Sequence, residues 1–146
     1  MTCVVIHCTA TDGLESPKRW LCNPEARASA HYLVAKDGSV YHLVDDDDVA
    51  WHAGISEWKK VQWVNNFSIG IELVHPNTPG TPYPPEQIKA LEWLCADLCR
   101  ERRVAPEDVV GHADISPGRK TDPVDFPWDD FRKRLKSRLE GTPGGY

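Results

Sequence analysis

The sequence predicts a single α/β domain with a central mixed β-sheet flanked by helices. Candidate elements follow one another as β, ββ, β, α, β, α, an order that suits strands gathered into one sheet with helices packed on it. A length of 146 residues fits one core. Apolar residues make up 40% and charged residues 27%, the balance of an ordinary globular chain.

The first element is "TCVVIH", Thr2 to His7, a short β-branched run that reads as a buried strand. Residues 8–24 read mostly as loop, and "PEARASA" is a candidate short helix. "HYLVAKDGSVYHLV" is a hairpin signal, two β-prone runs around Asp37-Gly38. From Asp45 to Asn66 runs a long polar stretch carrying Trp51, Trp58 and Trp63; such segments in compact domains are often functional. "FSIGIELVH", Phe67 to His75, is the clearest strand. Its Phe67, Ile69, Ile71 and Leu73 alternate with Ser68, Gly70, Glu72 and Val74, which sets Glu72 on the face away from the apolar side chains. "PEQIKALEWLCADLCRERR" is the strongest helix, with Ile88, Leu91, Cys95 and Leu98 at helical spacing and a proline in the first turn. "DVVGH" reads as a short strand ending at His112, and a final helix starts near Pro127. In that helix acids precede bases, as the macrodipole favours. The domain is expected to span residues 1–140, with 141–146, "GTPGGY", as a flexible tail.

Seventeen Lys plus Arg against 22 Asp plus Glu leave a net charge of −5. That argues against a nucleic-acid partner and gives no general attraction to an anionic wall polymer. No apolar run approaches the roughly 18 residues needed to span a bilayer, so membrane insertion is not expected. The opening "MTCVVIHCTATDG" has no basic n-region and does not read as a secretory signal, which makes a cytoplasmic location the expectation. Five cysteines form no CxxC pair; free buried thiols are expected and a cysteine zinc site is not supported.

Ionisable residues crowd "GHADISPGRKTDPVDFPWDDF", Gly111 to Phe131, a Pro- and Gly-rich segment that does not read as a regular helix. Strands ending in His7 and His112 would set both imidazoles at one sheet edge. By spacing alone, His7, His112 and Asp122 fit a metal site or a solvated loop. Glu72 is either a cleft carboxylate or a surface glutamate on a half-exposed strand, and Lys120 either a catalytic cation or one more exposed lysine.

Five segments taken together go further: "VVIHCTAT", "SAHYLVAKDGSVYHLV", "AWHAGIS", "NNFSIGIELV" and "GHADISPGRKTDP". In content and order they resemble the zinc-dependent N-acetylmuramoyl-L-alanine amidases, a family that includes the cytoplasmic recycling amidase, the phage amidase lysozymes and the peptidoglycan-recognition proteins. The resemblance runs from Val4 to about Pro123. It implies one zinc ion per chain on His7, His112 and Asp122, at one edge of the sheet. It implies Glu72 as the base and Lys120 beside the tetrahedral oxyanion. Trp51, His52 and Asn65 are expected to meet substrate, and Asp114 and His31 to brace the site. Where the phage and recognition branches carry a tyrosine, this chain aligns Ala30, a departure that supports Glu72 as the catalytic partner; Tyr32 lies two residues on. The implied activity is hydrolysis of the bond between N-acetylmuramic acid and L-alanine, by a monomer acting on peptidoglycan or soluble muropeptides. Recycling enzyme and phage-type lysin remain open, as does a non-catalytic muropeptide-binding module.

Overall fold

The computed structural model describes residues 2–141. A five-stranded mixed sheet is built from β1 (Cys3–Cys8), β2 (Tyr32–Val34), β3 (Val40–His42), β6 (Ser68–Leu73) and β7 (Val109–Gly111), in the spatial order β3-β2-β6-β1-β7. All neighbours are parallel except the β2–β3 hairpin. The hairpin turns at Asp37-Gly38 as its sequence requires: Gly38 adopts φ +90°, and Asp37 Oδ1 accepts the Ser39 N–H at 2.9 Å. A small antiparallel ribbon, β4 (Glu57–Trp58) and β5 (Val61–Gln62), rises from the long polar stretch.

Alternation divides the sheet into two faces. On one, Val4 and Ile6 of β1 and Ile69, Ile71 and Leu73 of β6 pack under α2 (Pro85–Arg102) and α4 (Trp128–Glu140), against Leu91, Cys95, Leu98, Phe131 and Leu135. This is the larger core. Each of these side chains is essentially fully buried, worth about 1.5–3 kcal/mol apiece for the aliphatic and aromatic ones. On the other face Cys3 and Val5 meet Ala53, Val64, Val110 and Ile115 in a smaller cluster. That face also carries His7, and the polar face of β6 joins it through Ser68, Gly70 and Glu72.

Two helices are not legible from periodicity. Residues 8–24, expected as loop, contain α1 (Glu15–Leu21), which buries only Pro17 and so shows no apolar stripe. The segment after β7 is not wholly irregular: His112–Ile115 forms one helical turn, α3. The expected short helix in "PEARASA" is a 3-10 turn, Pro24–Ala26. The tail expected at 141–146 lies, past Gly141, outside the described residues. Among the described residues no helix is long and apolar enough to cross a membrane, and all five cysteines are free, four of them buried.

Candidate metal centre

The site forms at the carboxyl ends of the parallel strands, where α/β sheets commonly bind ligands. β1 and β6 run in register so that His7 stands beside Glu72. β7 is the edge strand next to β1 and delivers His112 at the start of α3. The following loop returns Asp122: its carbonyl accepts the Ala113 N–H at 2.9 Å, and its Oδ2 accepts the Cys8 N–H at 3.2 Å. Residues separated by more than a hundred positions thus meet in a buried cluster.

The donor atoms converge. His7 Nδ1 and His112 Nδ1 are 2.9 Å apart. Asp122 Oδ2 lies 3.6 Å from His7 Nδ1, and Asp122 Oδ1 lies 3.3 Å from His112 Nδ1. Ligands about 2.0–2.1 Å from a tetrahedral ion stand roughly 3.3 Å from one another, so these separations bracket the tetrahedral value. All three side chains are buried, and they form the one group of three or more His, Cys, Asp or Glu among the described residues whose donor atoms approach closely enough to share an ion. The cluster can hold a metal.

Its electrostatics suit a cation. Burial pushes His7 down to about 4, with the neighbouring Asp122 carboxylate opposing, so its imidazole is neutral at ordinary pH. Burial by itself would raise Asp122, but the adjacent His112 and His7 outweigh it and hold the carboxyl well below the usual carboxylate range. Glu72 goes the other way. Burial raises it from 4.5 to about 8, the charge of Asp122 adds to the rise, and that of Lys120 opposes it. Its Oε2 is buried and finds no hydrogen-bond partner among the described residues. Lys120 is exposed, its backbone N–H held by the Ser116 carbonyl at 3.0 Å, and its charge reaches both Glu72 and His7.

The other expected residues divide. His52 sits at the cluster: its Nδ1 is 2.9 Å from His7 Nε2, and its Nε2 is 2.9 Å from Ser68 Oγ. Asn65 Oδ1 accepts the N–H groups of His52 and Ala53 at 3.1 and 2.8 Å, so this oxygen is engaged by the protein itself. Trp51 is exposed and turns to a separate hollow lined by Leu21, Pro24, Arg27 and Val49. Asp114 Oδ2 accepts the Gly111 N–H at 2.8 Å, bracing the start of α3 and not the His112 ring. His31 is buried away from the donor atoms; its Nδ1 accepts the Gly70 N–H and its Nε2–H donates to the Asp48 carbonyl. Ala30 is buried, and Tyr32 packs in the larger core with its hydroxyl donating to Asp46.

Ala53 and Arg119 also take part, though the sequence assigns neither a role. The His112 Nε2–H donates to the carbonyl of Ala53 at 3.1 Å, and Arg119 Nη2 donates to the same oxygen at 2.7 Å. A backbone acceptor has no side-chain signature. Arg119 also lines a cleft of about 380 Å³ with Ile55, Gln62, Trp63 and Ile115.

With this geometry in view the chain can be set beside known proteins. The family model described as N-acetylmuramoyl-L-alanine amidase matches residues 1–125. N-acetylmuramoyl-L-alanine amidase AmiD of Escherichia coli is 38% identical over 146 residues, covering 90% of this chain and 52% of AmiD. The 1,6-anhydro-N-acetylmuramyl-L-alanine amidase AmpD of Enterobacter cloacae is 40% identical over 108 residues, covering 73% of this chain and 57% of AmpD. This chain therefore spans about half the length of the curated relatives it matches. The structure of E. coli AmiD with anhydro-N-acetylmuramic acid-L-Ala-D-γ-Glu-L-Lys superposes with a TM-score of 0.84 at 37% identity, over 92% of this chain and 57% of the chain in that structure. The fold, the cluster and these matches agree, and the chain belongs to the N-acetylmuramoyl-L-alanine amidase family of the Amidase_2 type.

Proposed function

We propose that residues 1–140 form a zinc-dependent amidase unit that hydrolyses the bond between the lactyl carbonyl of N-acetylmuramic acid and L-alanine in muropeptides. The observation that carries the reading is the convergence of His7 Nδ1, His112 Nδ1 and Asp122 at tetrahedral separations, with Glu72 in register beside His7. Two neutral imidazoles and one carboxylate leave a fourth position free, the donor set of a catalytic zinc site. Zinc held there would supply Lewis acidity toward the scissile carbonyl and toward water.

The rest of the chemistry falls to the chain's own groups. Glu72 takes the proton of the attacking water and returns it to the departing amine of L-alanine. A base serves best with a pKa near the working pH, and burial has already moved Glu72 out of the ordinary carboxylate range. Lys120 faces the charge that develops on the carbonyl oxygen, where a fixed cation lowers the barrier. The names of AmiD and AmpD and the muropeptide in the AmiD complex support this substrate class, and AmpD's name favours the soluble 1,6-anhydro form over intact wall.

The test pairs metal analysis with mass spectrometry of products from anhydro-muropeptide and from intact sacculi. One zinc per chain and release of L-Ala-terminated peptide from the soluble substrate are expected. Metal-loaded protein that binds muropeptide and cleaves nothing would leave a recognition module in place of an enzyme; faster release from sacculi would leave a lysin.

A further inference from the structure

We infer that the dipeptide His52–Ala53, clamped by Asn65, fixes the tautomer of both ligand histidines, and that His52 is the positioning residue which presents His7 to the metal through Nδ1. The inference rests on the metal-site reading and deepens it.

The hydrogens can be followed inward from the periphery. Ser68 Oγ lies 2.7 Å from the Val64 carbonyl, an oxygen that can only accept, so the single hydroxyl hydrogen is committed there. Ser68 Oγ must then accept from His52 Nε2–H at 2.9 Å. Among the described residues the His52 ring nitrogens meet His7 and Ser68 and no carboxylate, and an imidazole protonated at Nε2 alone has a bare Nδ1. That Nδ1 accepts from His7 Nε2–H at 2.9 Å, which leaves His7 Nδ1 bare. On the other side the Ala53 carbonyl accepts His112 Nε2–H at 3.1 Å and leaves His112 Nδ1 bare. Two lone pairs 2.9 Å apart and a carboxylate then face one point with no donor among them. A metal cation satisfies that arrangement.

One short piece of backbone therefore orients both rings. Asn65 holds it by accepting two consecutive N–H groups with one oxygen. Gly70 makes room for it: a Cβ on Gly70 would fall 2.3 Å from His52 Cγ, so the imidazole lies directly on bare strand backbone. The choice of acceptor has a consequence for charge. Metal-bound histidines often donate to a carboxylate; a neutral imidazole in that place adds no negative charge, so a divalent ion on this cluster keeps one net positive charge for the substrate oxygen.

The test measures zinc affinity by competition with a chromophoric chelator, and tautomers by ¹⁵N-edited NMR of the zinc-loaded protein. His52→Leu, which removes the acceptor, should weaken zinc binding about 10–100-fold. His52→Asn, whose Oδ1 can stand where Nδ1 stood, should recover most of that loss. His7 and His52 should both show the Nε2–H pattern in the parent protein. Should His52→Leu not fold by circular dichroism, Ser68→Ala replaces it: with the hydroxyl gone, the His52 signals should broaden or split between tautomers. Folded His52→Leu with parent affinity, a His7 spectrum protonated at Nδ1, or unaltered His52 signals in Ser68→Ala would each overturn the inference. Both readouts are independent of turnover. A parent protein that binds zinc and hydrolyses nothing removes the amidase reading alone, whereas equal affinities with turnover intact remove this one alone.

Discussion

Replacing Glu72 with Gln should make the metal-free protein more stable and the metal-loaded protein nearly inert. The folded carboxyl titrates near about 8 against 4.5 without the fold, because burial and Asp122 both disfavour its charge. Between those values the folded chain keeps a proton that the unfolded chain has lost. Stability therefore falls as pH rises from 4.5 toward 8, and the full advantage of a neutral side chain is present below 4.5. At pH 7 the difference amounts to at most about 3 kcal/mol, an upper bound because the half-buried Glu72 retains some contact with water. Gln keeps the shape and removes the titration. In a chain of this size 1 kcal/mol moves Tm by about 2–4 °C, so the variant should melt up to roughly 6–12 °C higher at pH 7 and show little gain near pH 4. Thermal melts with chelator present, across that pH range, read this directly. With zinc restored, hydrolysis of anhydro-muropeptide should drop about a hundredfold to ten-thousandfold at unchanged zinc content. Identical melting profiles would refute the buried-carboxyl argument, and full turnover would remove Glu72 from the mechanism.

Three further outcomes are expected. Asp122→Ala removes one of three donors and leaves two imidazole nitrogens converging on nothing, so elemental analysis after dialysis should find little zinc; parent-like content would exclude Asp122 as a ligand. Lys120→Ala should lower kcat about 10²–10³-fold with zinc intact. Since Lys120 holds the Glu72 pKa down, the acid limb of its pH–rate profile should also move to higher pH; a drop without that movement would mean Lys120 acts apart from Glu72. Gly70→Ala pushes a methyl group to 2.3 Å from His52 Cγ, so it should destabilise by about 1–3 kcal/mol in chemical denaturation and weaken zinc binding as His52→Leu does; unchanged affinity would show that His52 finds another route to His7.

Sequence reading reaches as far as periodicity and motif reach. "FSIGIELVH" marks both the core face and the opposite side of β6, and in the structure Ile69, Ile71 and Leu73 do pack under the helices while Glu72 stands beside His7. The α2 helix lies at Pro85–Arg102, with the expected Ile88, Leu91, Cys95 and Leu98 among its buried residues. α1 escapes because a helix that buries one proline has no apolar stripe to detect. α3 escapes because four residues are too few for a period to repeat. At the site, residues with unusual chemistry stand out and residues acting through backbone atoms do not. Asn65 stands out in sequence only as a group for substrate; tertiary structure alone brings its oxygen to two N–H groups 12 and 13 positions away. The Ala53 carbonyl, Ser68 and the bare surface of Gly70 are ordinary residues until the fold sets them against an imidazole.

The two faces of β1 and β6 explain why stability and chemistry are separable here. On the helix-covered face, neighbouring residues can exchange volume with one another, and a change there alters packing free energy without touching a donor atom. On the opposite face, Ser68, Gly70 and Glu72 each answer to specific neighbours. Ser68 commits its hydroxyl to Val64, Gly70 leaves space under His52, and Glu72 sets a carboxyl beside His7. Because side chains alternate, every second residue of a six-residue strand answers to a different requirement. A one-residue slip of β6 against β1 would therefore bury Glu72 among aliphatic side chains and turn Ile71 toward the metal donors, losing core and site together. The same register that closes the larger core thus also sets the distance from Glu72 to His7, and a protein that folds to this core has its carboxylate in place before any metal arrives.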